Sequence, residues 1–241
     1  MLQDFFRTLA ETMSLKGYGS ILLDGTWMTV KLSICSLLLS VTLGLLGASA
    51  KLSGSRLLRF PATCYTTLIR GVPDLVLMLL IFYSLQTWLA DLTDYMDWDY
   101  IEIDPFSAGI ITLGFIYGAY FTETFRGAIL AVPRGQLEAA SAYGLTRLQR
   151  FRFVLFPQMM RFALSGVGNN WMVLIKSTAL VSIIGLSDVV RAAQDAGKSS
   201  YRLLFFLLVA GAIYLLFTTV SNIVLNALER RYAIGVREAL R

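Results

Sequence analysis

Residues 203–228 read LLFFLLVAGAIYLLFTTVSNIVLNAL, and nothing between Arg202 and Glu229 carries a charge. Crossing the roughly 30 Å hydrocarbon core of a bilayer as a helix takes about 20 mostly apolar residues. This stretch is long enough. Similar charge-free runs lie between Lys31 and Lys51, over Leu75–Ala90, over Pro105–Thr122 and over Phe162–Ile175. One such run would fit a buried core helix. Five in a chain of 241 residues, 56% hydrophobic and only 15% charged, read as an all-α integral membrane protein of about five transmembrane helices. The spans are expected near 27–50, 58–90, 106–131, 159–186 and 203–228.

The remaining charges sort by loop. The first loop holds Lys51, Arg56 and Arg59 with no acid. The second, Asp91–Asp104, holds Asp91, Asp94, Asp97, Asp99, Glu102 and Asp104 with no base. The third sets Arg134, Arg147, Arg150, Arg152 and Arg161 against Glu138 alone, and the tail carries Arg230, Arg231, Arg237 and Arg241. Basic loops stay in the cytoplasm. Loops one and three and the C-terminus therefore face inward, and the N-terminus and loops two and four face outward. The division expected is an outer surface segment at 1–26, a transmembrane domain at 27–228 with a cytoplasmic loop at 132–157, and a cytoplasmic tail at 229–241. The net charge of +5 follows topology and points to no nucleic acid.

Several chemistries are excluded. There is no histidine, so Ser-His-Asp and Cys-His catalysis and the usual zinc and haem sites are absent. Cys35 and Cys64 sit in or near apolar segments and read as packing residues, with no metal site implied. Gly197-Lys198-Ser199-Ser200 has the end of a phosphate loop, but Ala192 stands where the motif needs its first glycine. The chain carries no ATP site of its own on this reading and is not expected to be an enzyme.

Loop three holds the most information. Pro133 suits a first helical turn, Gly144 a left-handed helix end, and Thr146 the cap of a second short helix before Pro157. The first helix carries the small residues Ala139, Ala140, Ser141 and Ala142. Glu138-Ala139-Ala140, then Gly144, then Val154-Leu155-Phe156-Pro157, resembles the EAA signature of importer permeases of the ATP-binding-cassette class. Val154 and Phe156 replace other apolar residues of that pattern. Tyr65–Asp74, Tyr120–Gly127 and Gly168–Ser182 are similar to the second-, third- and fourth-span motifs of polar amino acid permeases. The combination most resembles the subunit type found in importers of histidine, lysine, arginine and ornithine.

That resemblance implies a type I importer permease fold in a bacterial cytoplasmic membrane, working by alternating access. It implies that Glu138, Ala139, Ala140 and Gly144 dock on an ATPase subunit. The implied partners are a homologous permease, two ATP-binding subunits holding ATP and Mg, a periplasmic amino-acid-binding protein and the amino acid itself.

Charges within spans are costly and face a cavity or a partner. The candidates for a polar path are Arg70, Asp74, Glu123, Asn169, Asn170 and Lys176. Arg70 and Lys176 would take a carboxylate, and the acids and amides an ammonium or a basic side chain. Glu123 also lies three residues from Arg126, so internal ion pairing is the competing reading there. Gly71-Val72-Pro73 interrupts the second span, either as a packing kink or as broken backbone lining a cavity. Gly114 and Gly118 have the spacing of close helix packing. The other functions weighed are a stand-alone secondary transporter or channel, and a receptor that binds without moving its ligand.

Overall fold

A computed structural model describes residues 17–99 and 101–232. Among these the chain forms helices and no strand. The helices are α1 (Gly19–Leu52), α2 (Arg56–Gly71), α3 (Asp74–Tyr95), α4 (Pro105–Leu130), α5 (Arg134–Ala142), α6 (Arg147–Arg150), α7 (Phe156–Ser177), α8 (Val189–Ser199) and α9 (Leu203–Tyr232). Five segments are long and apolar enough to cross a membrane: α1, α3, α4, the run Arg147–Ile184 containing α7, and α9. The expected segments 1–26 and 229–241 fall partly outside the described residues.

α4 is the centre of the bundle. Its most apolar stretch is 61% buried, against 11% for α3 and for α9. Tyr117, Phe121, Leu113 and Ile116 of α4 are almost wholly enclosed. α1 packs along it through small residues. Leu39 of α1 lies on Gly114, Leu43 on Gly118, and Gly44 on Phe121. Both helices advance together in number, so they run parallel. A single return crossing must lie between them, which agrees with the charge-derived topology. The Gly114–Gly118 spacing does what it implied: it lets α1 side chains reach the α4 backbone.

Three hydroxyls on the buried face of α1 are satisfied within the helix, while the Ser36 Oγ has no partner among the described residues. Thr29 donates to the Gly25 carbonyl at 3.0 Å, Ser33 to Thr29 at 2.6 Å and Ser40 to Ser36 at 2.7 Å. A Cβ on Gly44 would stand 2.5 Å from the Phe121 Cβ and 3.0 Å from its carbonyl carbon. Neither atom swings aside, so Gly44→Ala should destabilise by about 1–3 kcal/mol. A thermal melt of the purified protein reads this, and an unchanged midpoint would refute the close approach.

Three segments differ from the sequence expectation. α1 starts at Gly19 rather than near residue 27, because Leu22 and Gly25 pack on α8 and extend the helix by protein contact. The second span is broken, not kinked. α2 stops at Gly71, Val72 is extended at φ −117° and ψ 143°, and Pro73 leads into α3. Proline disfavours helical backbone in the residue before it, which fixes Val72 extended. Finally, α6 does not stand apart from the fourth span: a π-helical turn, Phe151–Leu155, joins it to α7.

Loop four contains a helix that periodicity alone passed over. Asp188 caps α8 by accepting from the Arg191 N–H at 2.9 Å, and the Val189 N–H donates to Thr29 of α1 at 3.1 Å. Asp188 is fully buried and its Oδ2 has no partner. Tyr214 of α9 is the titratable side chain close enough to interact with it. Burial raises the Asp188 carboxyl from its ordinary 3.8 to about 6, against the backbone N–H groups that pull it down. An acid raised on folding stabilises most when protonated. The contribution is lost as pH climbs through 6 and is complete below 3.8. Lowering pH from 7 to 5 should therefore add about 1 kcal/mol, or a few degrees of melting temperature. In Asp188→Asn this part of the slope should vanish; an unaltered slope would show that the carboxyl ionises freely.

Candidate functional site

The break between α2 and α3 sets a base and an acid on either side of an opened backbone. Arg70 ends α2 and Asp74 begins α3. Two tyrosines of α4 face them. The Tyr117 hydroxyl donates to Asp74 Oδ2 at 2.9 Å and is 2.6 Å from Ser177 of α7. With the Tyr117 proton directed to Asp74, Ser177 is the donor of the second bond. Tyr120 stacks on Tyr117 at 5.6 Å between centroids, and the Arg70 guanidinium lies 5.5 Å from the Tyr120 ring. The result is a wall of two aromatic rings. Asp74 is also within reach of the Tyr120 hydroxyl, so the cation and the acid flank the same pair of rings.

Below it is an open cleft of about 390 Å³, lined by Lys51, Thr66, Thr67, Arg70, Gly71 and Glu123. Glu123 is spoken for on both oxygens. Lys51 bonds to Oε1, and the Arg126 Nε donates to Oε2 at 2.9 Å. Lys51 also donates to Thr66 at 2.8 Å, so α1, α2 and α4 are tied together. The ion-pairing reading of Glu123 describes its contacts, with Lys51 as a partner that sequence spacing did not reveal. Arg70 makes no ion pair among the described residues.

The two asparagines diverge, as consecutive helical residues must. Asn170 is buried and donates to Thr124 of α4 at 3.0 Å, while Asn169 is exposed. Lys176 is also exposed, one residue before the Ser177 that meets Tyr117. The structure thus gathers Arg70 and Asp74, adds Tyr117, Tyr120 and Ser177, and leaves Asn169, Asn170 and Lys176 outside that group. Tyr120 belongs to the quoted third-span stretch. Ser177 likewise belongs to the fourth-span stretch Gly168–Ser182, while Tyr117 gave no signal beyond polarity in an apolar run.

The loop between α4 and α7 is built from local rules. Gly144 takes φ +78°, its N–H donates to Ser141 at 3.0 Å, and the Leu145 N–H reaches the Ala140 carbonyl at 3.1 Å. This pair of bonds is the Schellman closure of a helix end. Thr146 and Gln149 then form a reciprocal capping box for α6. Arg150 donates to Ser141 at 2.5 Å across the turn. Ala140 is buried, while Glu138, Ala139 and Gly144 are exposed and available to another surface.

The family described as binding-protein-dependent transport system inner membrane component matches residues 40–234. The chain belongs to this family. The histidine/lysine/arginine/ornithine transport system permease protein HisQ of Escherichia coli (strain K12) is 60% identical over 225 residues, spanning 93% of this chain and 99% of that protein. The octopine transport system permease protein OccQ of Rhizobium radiobacter is 36% identical, over 93% of this chain and 95% of that one. The crystal structure of an amino acid ABC transporter with histidines superposes with a TM-score of 0.75 at 33% identity, covering 89% of this chain and 95% of its own. The inward-facing MetNI methionine ABC transporter, at 18% identity and a TM-score of 0.63, shares the fold. This permease is therefore a multi-pass, all-helical membrane component of an ABC transport system with the type I importer fold.

Proposed function

We propose that this permease moves basic amino acids (histidine, lysine, arginine, ornithine) inward across a bacterial inner membrane. The observation that carries the proposal is the placing of a cation without an ion pair among the described residues, Arg70, and an acid, Asp74, around Tyr120 at the broken joint between α2 and α3. A basic amino acid has charges to match. Its carboxylate meets Arg70, its cationic side chain meets Asp74, and its methylenes lie on the half-buried Tyr120 ring, with the enclosed Tyr117 holding Asp74 from behind. Charge-assisted bonds of this kind are the strong ones in a dehydrated site. The 60% identity to a histidine/lysine/arginine/ornithine permease supports the same substrate class.

The energy comes from other chains on this reading. A homologous permease completes the pathway, two ATP-binding subunits hold ATP and Mg, and a periplasmic binding protein delivers the amino acid. Closure of the ATPase pair pulls on α5 and α6, docked through Glu138, Ala139 and Gly144, while the expected contact Ala140 is buried against its own chain and supports the helix from behind. Because the π-turn joins α6 directly to α7, that pull reaches the fourth span without a flexible joint. Tilting of α7 moves Ser177 relative to Tyr117 and so opens or closes the site. The test is uptake of labelled amino acids by the complex reconstituted in vesicles. ATP-dependent uptake of lysine, arginine and histidine, stimulated by loaded binding protein, is expected. Uptake driven by an ion gradient without ATP would overturn the proposal.

A further inference from the structure

α2 has three distinct faces. Thr66 and Ile69 are buried against the bundle, at 3% and 8% exposure. Leu57 and Leu68 project outward at 84% and 66%, an apolar face suited to lipid. The third face is polar and basic. Arg56, Arg59, Thr63, Thr67 and Arg70 follow one another in steps of three and four, which is a single helix stripe, and all five are exposed. Two clefts open on this stripe. The upper one, already described, reaches Arg70 and Thr67. The lower one, about 310 Å³, is lined by Arg56, Arg59, Phe60 and Thr63. The stripe runs from the substrate wall to the cytoplasmic end of the helix, about 20 Å away at 1.5 Å per residue.

Its field is positive throughout. No acid occurs between Gly25 and Pro73. The one carboxylate lining either cleft, Glu123, is held between Lys51 and Arg126. Arg70 sits at the depth of Tyr120, well inside the bundle, where a charge facing hydrocarbon is not sustained. The polar face is therefore turned away from lipid, toward water or a polar partner surface.

We infer that the basic stripe of α2 is the cytoplasmic exit path, an electropositive water-filled track that repels a released basic amino acid and so opposes its return to the Arg70–Asp74 site. This inference rests on the proposed substrate class. A cationic amino acid leaving the wall passes between two arginines near the exit. The same charges meet any cationic amino acid entering from the cytoplasm while the site is open inward. At low ionic strength, two like charges about 8 Å away in water lower the local concentration of a monovalent cation about five-fold, and at physiological salt about two-fold. A neutral amino acid is not affected in this way.

Two measurements on the reconstituted complex test this. The first uses Thr63→Cys in a background with Cys35 and Cys64 replaced by serine, with Leu68→Cys as the comparison. From the cytoplasmic side, Thr63→Cys should react with an anionic methanethiosulfonate faster than with its cationic counterpart, and faster than Leu68→Cys reacts with either. Trapping the ATPase pair closed with vanadate should slow the reaction. The second loads vesicles with lysine. In Arg56→Gln/Arg59→Gln at low ionic strength, the internal lysine concentration that halves uptake should fall about five-fold, shrinking to about two-fold at physiological salt, while internal glutamine acts as in wild type. Thr63→Cys no more reactive than Leu68→Cys would place the stripe against lipid or protein and overturn the inference. Reactivity set by the vesicles' anionic phospholipid content and indifferent to vanadate would assign the stripe to lipid headgroups and overturn it too. Unchanged inhibition by internal lysine would refute the repulsive role. Failure of the wild-type complex to import any basic amino acid would refute the substrate proposal instead, and is read from a separate measurement.

Discussion

Replacing Gly144 by valine should cut uptake at least about ten-fold while leaving the permease inserted and folded. The residue holds φ +78°. An L-residue in left-handed backbone costs roughly 1–2 kcal/mol, and a β-branched one more. No atom lies within 4 Å of a Cβ placed there, so the penalty is conformational and not a clash. The chain escapes the strain by abandoning the turn. That breaks the Leu145 to Ala140 bond and releases α6 from its angle to α5. The docking surface is then misaligned, although every span lies elsewhere. The order of substitutions is part of the expectation: asparagine, which tolerates left-handed backbone, should be mildest, alanine intermediate and valine worst. Co-purification of the ATPase with the mutant permease, measured beside uptake, reads the effect. Full ATPase association and full uptake in Gly144→Val would remove this loop from the coupling role.

That turn was legible in the sequence because its causes are local. Pro133, Gly144 and Thr146 each act on backbone within a few residues, and the structure uses Gly144 and Thr146 as their chemistry requires. The spans were legible for a similar reason, since uncharged length is a one-dimensional property. What the sequence hid is tertiary. Asp74 meets Tyr117 across 43 residues and Lys51 meets Glu123 across 72. Neither pair has a spacing that marks it in advance, and Glu123 offered the nearer Arg126 as a sufficient partner. The π-turn at Phe151–Leu155 escaped notice because one extra residue in a helical turn leaves the apolar pattern nearly unchanged. α8 had a visible signal that went unused: Asp188 as a cap, followed by Ala192, Ala193 and Ala196 on one face. Its eleven residues, too short and too polar for a span, merged with a loop of mixed charge.

Asp74→Asn should lower uptake of lysine and arginine about ten- to hundred-fold and leave neutral amino acids, where they are carried at all, much less affected. Asparagine keeps an acceptor oxygen for the Tyr117 hydroxyl, so the link from α3 to α4 survives and only the charge is removed. Bonds between a charged pair in a site of this kind are worth about 1.5–3 kcal/mol, which sets the range. Histidine supplies an internal check, because its side chain titrates near 6.5. Below that pH it is a cation and should depend on Asp74 as lysine does. At pH 8 it is neutral and the mutant should carry it at close to the wild-type rate. The ratio of wild-type to mutant histidine uptake should therefore rise as pH falls from 8 to 5.5, while the lysine ratio stays constant. Tyr117→Phe separates position from charge. It releases the carboxylate from its hydroxyl clamp, and should weaken uptake of every basic amino acid to a similar, smaller degree without a pH trend for histidine. Equal loss for lysine and neutral substrates in Asp74→Asn, with no pH dependence for histidine, would mean that Asp74 serves to hold α3 against Tyr117 and that the cationic side chain is recognised elsewhere.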